Sequence, residues 1–484
     1  MTATVRKRRI LALIPLAVLI VLLALDIAIF GADSILGASQ VALLTAAGVC
    51  IAISALAYKT SWKTFERAIA GNISDIATAI LILLMIGAIS GTWTLSGIVP
   101  TLICYGLKII SPKVFLLTAC LLCAIVSLLI GSSWTTIATV GVALLGIGRA
   151  EGFSDAITAG AIISGAYFGD KISPLSDTTV LASSINKVDL FAHIRYMLLS
   201  TVPSMVITLV IFTVIGLCHP VADQGQMTEY AEVLRAHFRI TPWLMIVPLL
   251  TAVMIWRKMP AVAVLALSTL AAAVAALLFQ PDLLATVGAG VTDGSRSRLL
   301  FTGVVESIYN SVSVETGNAA VNQLVSPRGM VGMLNTIFLI LCSMTFGGCM
   351  RASGMISDLA GILAPLTRTR TGLVGTTVVT GTALNGIVSD QYLSIILTSN
   401  LYRERFEQDG YEMRLLSRSV EDSSTATSPL FPWSSCGMTQ AAILSVSTLA
   451  YAPFCFFNIL SPLMSIIIAA TGWRIIQSRG LGQK

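Results

Sequence analysis

The sequence predicts an all-α protein that crosses a membrane many times. Of its 484 residues, 55% are hydrophobic and only 11% are charged, with a mean hydropathy of +0.86. A soluble domain carries about 25% charged residues, so this chain lacks the charge to cover a soluble surface. Apolar runs of bilayer-spanning length recur along it, and we expect about 12 transmembrane segments. Several should be broken or re-entrant, because Pro and polar residues interrupt them.

The basic residues indicate how the chain is oriented. Arg6 to Arg9 precede the first apolar run, and Arg474, Arg479 and Lys484 follow the last. The positive-inside rule therefore predicts that both termini are cytoplasmic in a multi-pass protein of the inner membrane. Basic residues at the ends of apolar runs, rather than in one stripe, argue against nucleic acid as the reason for the net charge of +6. The first run, 10–30, lacks a clear cleavage site, which favours an uncleaved span over a signal peptide.

Two parts of the chain resemble each other. Gly91, Ser96, Gly97 and Ser132 match Gly348, Ser353, Gly354 and Ser389, each 257 residues later (348 − 91 = 257). The run 173–175, Ser-Pro-Leu, recurs at 428–430 with an offset of 255, which we attribute to two residues lost in a loop. Many secondary transporters are built from such repeats, with the site where the repeats meet. We expect inverted repeats whose Ser-Pro-Leu segments approach each other.

This duplication divides the chain into five parts. They are an N-terminal tail with two helices (1–70), transport repeat 1 (71–218), a connecting loop, helix pair and polar stretch (219–329), transport repeat 2 (330–470) and a C-terminal tail (471–484).

The most informative segment of repeat 1 is 160–184, GAIISGAYFGDKISPLSDTTVLASS. Ala161, Gly165 and Gly169 recur every four residues, which predicts close contact with a neighbouring helix. Pro174 then breaks the helix and frees backbone carbonyls, which is tolerated at membrane depth only inside protein or beside a cavity. The polar residues predicted to bind ions or couple protons here are Asp170, Ser173, Asp177 and Thr178.

Repeat 2 carries a corresponding segment at 419–439, SVEDSSTATSPLFPWSSCGMT. Its predicted site residues are Glu421, Asp422, Ser424 and Thr427. Carboxylates, hydroxyls and carbonyls suit a hard cation such as Na+, which we place at Asp170, Asp177 and Asp422. Solvated loops are the alternative for these acids, but a charge at bilayer depth costs about 2.5 to 3.5 kcal/mol and usually has a function. We assign Lys171 to a solvated loop.

Two partner segments interrupt apolar runs at equivalent places. One is 131–136, GSSWTT, which supplies Ser133, and the other is 385–392, which supplies Asn385 and Asp390. Broken helices in equivalent positions of two repeats indicate a transporter site. Asp390 is a candidate fifth carboxylate, with helix capping as its alternative role.

Glu421 and Asp422 are adjacent and are predicted to have separate roles. Successive residues of a regular helix point about 100° apart, since each turn takes about 3.6 residues. We expect Asp422 to face the ion and Glu421 to face repeat 1.

Other classes of protein find little support. The sequence has no HExxH or GxSxG motif, its three histidines are scattered, and it has no GxxxxGK[ST] loop. We therefore expect neither an enzyme nor an ATP-driven pump, and no cofactor. The nine cysteines lie mostly in apolar runs and are interpreted as buried thiols.

Five segments make the chain resemble the NhaC family of Na+/H+ antiporters, part of the ion transporter superfamily. They are 131–136, 165–179, 391–395, 416–437 and 451–463, and the resemblance spans about residues 70 to 470. It implies an inverted-repeat fold and exchange of Na+ for H+. Members of the family are also assigned exchange of organic anions, such as malate against lactate, or of amino acids.

The hypothesis is that Na+ and protons compete for shared intramembrane carboxylates, while one bundle moves against the other around the site. The expected partners are Na+, H+ and the lipid bilayer. Two alternatives stay open, namely a Na+- or H+-coupled carrier of a small organic solute and assembly as a homodimer. An organic anion would need a cation, for which Lys171, Arg195 and Arg351 are the candidates.

Overall fold

The computed structural model describes residues 3–30, 37–109, 111–219, 224–257, 259–318, 321–322, 325–327, 329–356, 358–359, 367 and 369–474. Throughout these residues the regular structure is helical, which confirms the predicted all-α fold. Most of the predicted C-terminal tail, including Arg479 and Lys484, lies outside the described residues.

The first half of the chain forms eleven numbered helices. They are α1 (Ala3–Phe30), α2 (Ala38–Tyr58), α3 (Trp62–Asp75), α4 (Ala77–Leu95), α5 (Ile98–Ile109), α6 (Phe115–Ile130), α7 (Ser133–Thr136), α8 (Val142–Ala150), α9 (Asp155–Ile172), α10 (Asp177–Ile185) and α11 (Leu190–Cys218). A π-helical turn, Ile137–Gly141, joins α7 to α8.

The second half follows with α12 (Gln224–His237), α13 (Ile246–Trp256), α14 (Ala261–Phe279), α15 (Pro281–Ala289), α16 (Arg296–Tyr309), α17 (Val331–Ala352), α18 (Arg370–Ile387), α19 (Gln391–Gln408), α20 (Met413–Val420), α21 (Ser435–Leu444), α22 (Thr448–Tyr451) and α23 (Phe456–Thr471). A second π-helical turn, Glu421–Thr425, continues α20.

Length and composition single out the membrane-crossing helices. Among the described residues, six helices are long and apolar enough to cross a membrane, or up to nine if each of three bent pairs is one span. The six are α1, α2, α6 with its preceding turn, α11, α14 and α17, and the pairs are α4 with α5, α12 with α13 and α22 with α23. The site lies mainly on the shorter and more polar helices between these spans.

Two helical hairpins contact the segments that carry the site. In hairpin 1, formed by α6, α7 and α8, the chain turns at Gly131, and its base is closed where Gly148 packs against Phe115 and Thr158. Hairpin 2 is formed by α18 and α19. The Arg405 side chain donates to the Thr367 carbonyl at its base, at 3.5 Å.

Contacts at the hairpin bases show that the repeats are inverted. Helix α9 starts at the base of hairpin 1, where Asp155 pairs with Arg149, and α10 ends beside hairpin 2, where Arg403 donates to the Ile185 carbonyl. The segment from α20 to α21 runs the other way, and its last turn, 444–445, shares a cavity with Arg149 and Asp155. Equivalent segments therefore cross the protein in opposite directions.

Left-handed backbone positions mark the duplication. The pairs are Gly97 and Gly354 (φ 83° and 72°), Gly131 and Ser389 (74° and 64°), Gly152 and Gly410 (83° and 72°), and Lys187 and Ser445 (53° and 53°). The last three pairs share an offset of 258 residues (389 − 131 = 258). A backbone hydrogen bond of 2.9 Å follows each Gly of the third pair, donated by the Phe153 amide to the Gly148 carbonyl and by the Tyr411 amide to the Phe406 carbonyl.

These positions correct two details of the sequence alignment. Ser132 corresponds to Asp390 rather than to Ser389, because both are helix N-caps that accept the amide hydrogen three residues on. The offset falls from 258 residues to 255 at Ser-Pro-Leu because one of two corresponding helices is shorter, and not because residues are missing from a loop. Helix α9 has 18 residues, whereas its counterpart from Met413 to Thr427 has 15 (427 − 413 + 1 = 15).

The predicted small-residue contact lies between α9 and α6. A Cβ on Gly165 would lie 2.0 Å from the Cys120 carbonyl oxygen, and one on Gly169 would lie 2.1 Å from that of Ala124. The backbones approach as closely as small-residue spacing allows in membrane helices. This contact fixes the end of α9, where Asp170 and Lys171 lie.

We predict that Gly165→Ala lowers stability although alanine is the better helix former. The added methyl group has to push two backbones apart, which costs about 1 to 3 kcal/mol or more. Thermal melting of the detergent-solubilised protein measures this. The control is Gly375→Ala in α18, where a Cβ meets nothing within 4 Å. Equal melting temperatures for both variants would contradict the close α6–α9 contact.

Candidate functional site

Asp170 lies in the last turn of α9 and faces the tip of hairpin 1. Its Oδ2 atom accepts hydrogen bonds from the Ser133 amide, at 3.1 Å, and from the Ser133 hydroxyl, at 2.7 Å. Ser133 begins α7, so its amide has no partner within the helix and is a natural donor to an anion. Oδ1 has no hydrogen bond of normal geometry among the described residues, although the Ser176 hydroxyl lies close to the carboxylate. Asp170 is therefore fixed on one side and available on the other.

Lys171 and Asp422 form an ion pair between the two repeats. Both side chains are almost completely buried, and Lys171 Nζ also donates to the Ser461 hydroxyl at 2.7 Å. Asp422 Oδ1 accepts from the hydroxyls of Ser200, at 3.0 Å, and Ser461, at 3.1 Å. Assigning Lys171 to a solvated loop was therefore wrong. The last turn of α9 is enclosed by α11, α23 and repeat 2, and the sequence around Lys171 does not reveal that enclosure.

Glu421 is buried beside this pair. Neither carboxyl oxygen has a hydrogen bond of normal geometry among the described residues, although Thr425 lies one turn further on. Glu421 is close enough to Asp170, Lys171 and Asp422 to interact with each electrostatically. It begins the second π-helical turn, a feature that is frequent at functional sites.

The ion pair with repeat 1 is made by Asp422, for which the sequence predicted a position facing the ion. Glu421, expected at that interface, lies close to Asp170 and Lys171 of repeat 1, but neither of its oxygens has a hydrogen bond of normal geometry among the described residues. The expectation assumed regular helical geometry, and the wider π turn changes where each side chain points.

Three further predicted residues lie around the Ser-Pro-Leu break of repeat 1. Asp177 is exposed, and its Oδ2 accepts from the Tyr392 hydroxyl of hairpin 2 at 2.8 Å. The Thr178 hydroxyl pairs with that of Ser176, at 3.0 Å. Ser173 donates to the Leu128 carbonyl at 2.8 Å. Of these three, Asp177 makes the contact to the second repeat.

The remaining predicted residues of repeat 2 hold backbone in place. Asn385 Nδ2 donates to the Ser424 carbonyl at 2.7 Å and to the Thr427 hydroxyl at 3.0 Å. Asp390 caps α19 by accepting from the Leu393 amide at 3.0 Å. The structure thus gives Asp390 the capping role that the sequence left open.

The carboxylates do not gather around one point. Within the described residues, no three His, Cys, Asp or Glu side chains lie close enough together to hold a metal ion. A Na+ site shared by Asp170, Asp177 and Asp422 stays a prediction. Among the described residues, these three carboxylates do not form a group that could hold a metal ion together. A site with one or two carboxylates would have to be completed by hydroxyl and carbonyl oxygens, which suit a hard cation.

Sequence reasoning missed Arg418. Its side chain is fully buried, its guanidinium lies 4.8 Å from the centre of the Tyr196 ring, and its Nε is 3.8 Å from Asp422 Oδ2. The four-residue spacing between Arg418 and Asp422 on one helical segment could have indicated it. Among the cations considered for an organic substrate, Arg195 is exposed and Arg351 donates to the Ala68 carbonyl, at 3.4 Å. Only Lys171 of those three reaches the buried cluster.

Inverted repeats, two hairpins with broken helices and buried charges where they meet define the class of protein. Ionisable groups buried at membrane depth mark ion or substrate pathways, and repeats that meet at such groups are typical of secondary transporters. The chain has the architecture of a secondary membrane transporter.

Comparison with known proteins gives the family. Residues 165–473 match the model of the Na+/H+ antiporter family. The chain is 36% identical over 439 residues to the Na+/H+ antiporter NhaC of Alkalihalophilus pseudofirmus, covering 90% of this chain and 92% of that protein. It therefore belongs to the Na+/H+ antiporter family, as the sequence motifs predicted.

Relatives of similar identity carry other names. The chain is 35% identical to the malate-2H+/Na+-lactate antiporter of Bacillus subtilis, covering 85% of each protein. It is 32% identical to the arginine/ornithine antiporter ArcD of Halobacterium salinarum, covering 96% of this chain and 92% of that one. A solved structure, the YdaH transporter of Alcanivorax borkumensis, aligns over 84% of this chain and 88% of that one with 12% identity and a TM-score of 0.37. That likeness is too low to describe this fold.

We predict that Lys171→Met destabilises the protein, because it leaves the Asp422 carboxylate buried without its closest counterion. Losing one partner of a buried pair costs up to about 3 to 5 kcal/mol. Adding Asp422→Asn should restore much of the loss, since the uncompensated charge is then gone. Thermal melting compares both variants with Lys187→Met, an exposed lysine 16 residues further on (187 − 171 = 16). If Lys171→Met melts like Lys187→Met, the ion pair does not stabilise the fold.

Proposed function

We propose that this protein exchanges Na+ for H+ across the cytoplasmic membrane by alternating access, with Asp170 and Glu421 as the carboxyl groups for which Na+ and protons compete. One observation carries the proposal. Two buried carboxyl groups, one from each repeat, lie within electrostatic range of each other and have oxygens without a hydrogen bond of normal geometry among the described residues.

Burial explains why Na+ and protons should exclude each other there. A buried carboxylate is costly unless a cation or a proton neutralises it. Lys171 already neutralises Asp422, so Asp170 and Glu421 are the acids of this cluster, among the described residues, that still need compensation. Either a proton or Na+ can supply it, and occupancy by one removes the need for the other. Because the groups interact, the titration belongs to the pair.

The two ends of the molecule differ in how tightly they are packed. At the base of hairpin 1, a cavity of about 420 Å³ contains Arg149, Asp155 and Ser445. At the base of hairpin 2, Arg403 donates to the Ile185 carbonyl, and Asn186 donates to Ser399 at 2.9 Å. In our proposal the inverted repeats exchange these arrangements during transport, so that the open end becomes the closed one.

The base of hairpin 2 is the proposed cytoplasmic end. The N-terminal Arg8 pairs with Asp358, and near the C-terminus the Ala469 carbonyl accepts from Arg370 at the start of hairpin 2. Arg403 and Arg405 add positive charge at the same base. An excess of basic residues marks the cytoplasmic side, so the cavity beside Arg149 opens to the outside.

We predict that Asp170→Asn and Glu421→Gln each reduce exchange to background while the protein stays folded. Each amide keeps the shape but can neither neutralise Na+ nor release a proton. Proteoliposomes containing a pH-sensitive dye and challenged with Na+, Li+ and K+ measure the exchange. Asp189→Asn, an exposed helix cap that asparagine can replace, is the control. Normal Na+-driven proton flux in both variants would refute the proposal.

We also predict that the apparent affinity for Na+ falls as the pH falls. A proton bound to the shared carboxyl groups must leave before Na+ binds. For one competing proton, each pH unit below the titration midpoint weakens apparent Na+ binding about tenfold, which corresponds to about 1.4 kcal/mol. Initial exchange rates at several Na+ concentrations and pH values give this dependence. A half-saturating Na+ concentration that does not change with pH would contradict competition.

Exchange of an organic anion is the second candidate function. The buried Arg418, with no hydrogen bond to its guanidinium among the described residues, could receive a substrate carboxylate. Relatives named as malate/lactate and arginine/ornithine antiporters favour testing it. Sodium-loaded proteoliposomes supplied with malate, lactate, arginine or ornithine distinguish the two functions. Uptake that requires one of these solutes, without Na+/H+ exchange in its absence, would favour the second.

A further inference from the structure

Arg418 is unusual because it is a buried cation that uses none of its donors. Its relative exposure is 0%, and Nε, Nη1 and Nη2 all lack a hydrogen-bond partner among the described residues. Arginine carries five N–H donors and keeps its charge at any physiological pH. The ring of Tyr196, 4.8 Å from the guanidinium carbon, offers a cation–π contact but no acceptor. Such an arrangement is costly unless the donors are used in another state.

The nearest acceptor is the free oxygen of Asp422. Oδ1 of that carboxylate is occupied by Lys171, Ser200 and Ser461, whereas Oδ2 has no hydrogen bond among the described residues. Arg418 Nε lies 3.8 Å from Oδ2. Hydrogen bonds of this kind are about 2.7 to 2.9 Å long, so a shift of about 1 Å would form one.

The two cations differ in the part of the molecule to which they belong. Lys171 is on α9 of repeat 1, so its bond to Asp422 joins the repeats. Arg418 is on α20, one turn before Asp422, so its bond would stay within repeat 2. Any relative movement of the repeats at this point has to break the first contact and can leave the second intact.

We propose that Arg418 acts as a second counterion of Asp422. When the repeats separate and Lys171 moves away from Asp422, the Arg418 guanidinium moves onto Oδ2 and keeps the buried carboxylate paired. The inference rests on the proposed function, because it presumes movement between the repeats. It makes Arg418 a positioning residue that lowers the barrier to this movement. Among the described residues, Glu421 and His193 also interact electrostatically with Lys171 and Asp422, and neither of them is a cation of fixed charge.

A double-mutant cycle tests this without relying on Na+/H+ exchange. Arg418→Met alone should change the melting temperature little, because it breaks no hydrogen bond. In the Lys171→Met background it should lower the melting temperature by much more than the two single changes together, since Asp422 then loses both cations. Adding Asp422→Asn should abolish this excess. Arg414→Met is the matched control, as Arg414 lies one turn earlier and 5.0 Å from the same Tyr196 ring, and it should be additive with Lys171→Met.

Transport provides the second readout. Arg418→Met should slow turnover roughly a hundredfold, given the cost of a buried unpaired charge. It should leave the half-saturating Na+ concentration unchanged. Arg418→Lys, which keeps the charge, should recover part of the rate. Additive decreases in melting temperature for Arg418→Met and Lys171→Met would overturn the proposal. So would a decrease for Arg418→Met alone that is as large as the decrease for Lys171→Met. If Arg418→Met only raised the half-saturating concentration of malate or lactate, that result would also overturn the proposal, because Arg418 would then bind the substrate. Absence of Na+/H+ exchange in the wild-type protein would refute the proposed function, while the melting cycle would still decide this inference.

Discussion

The buried ion pair between Lys171 and Asp422 is the interaction on which the site depends. Two charges can be removed from water only if each finds the other and the remaining donors and acceptors are satisfied. Lys171 Nζ and Asp422 Oδ1 meet this condition with the help of Ser200 and Ser461, whereas Asp422 Oδ2 has no hydrogen bond among the described residues. Because the partners come from different repeats, the pair sets their relative position. Next to it lies Glu421, an acid with no ion-pair partner of its own among the described residues.

The helix breaks provide the other half of the site. Where hairpin 1 turns, Ser132 caps α7 and Ser133 presents its amide and hydroxyl to Asp170. Where hairpin 2 turns, Asp390 caps α19, and Asn385 reaches across to the Ser424 carbonyl. The N-capped helix break therefore holds an ionisable side chain in one repeat and a backbone carbonyl in the other. The two repeats share the backbone arrangement, whereas the side chains at these breaks have different roles.

Close packing explains how polar groups can be held so firmly in an apolar protein. Helices α6 and α9 approach until only hydrogen atoms fit between Gly165 and the Cys120 carbonyl, which fixes the end of α9. The inverted arrangement then places an open cavity at one end and tight contacts at the other. A fixed end of α9 and movable repeats are compatible, because α6 and α9 belong to the same repeat.

The sequence by itself determined the membrane class, the duplication and the small-residue helix contact, and it predicted most of the polar residues of the candidate site. These follow from composition and local spacing, which need no knowledge of what packs where. Only the tertiary structure decided that Lys171 is buried, that Asp422 rather than Glu421 joins the repeats, and that Arg418 belongs to the cluster. The residues that enclose these side chains come from α11, α23 and the opposite repeat, up to 290 positions away along the chain. The π-helical turn that orients the two acids is likewise invisible in a periodicity of 3.6, because burial and partner choice are properties of the packed helices rather than of the local sequence.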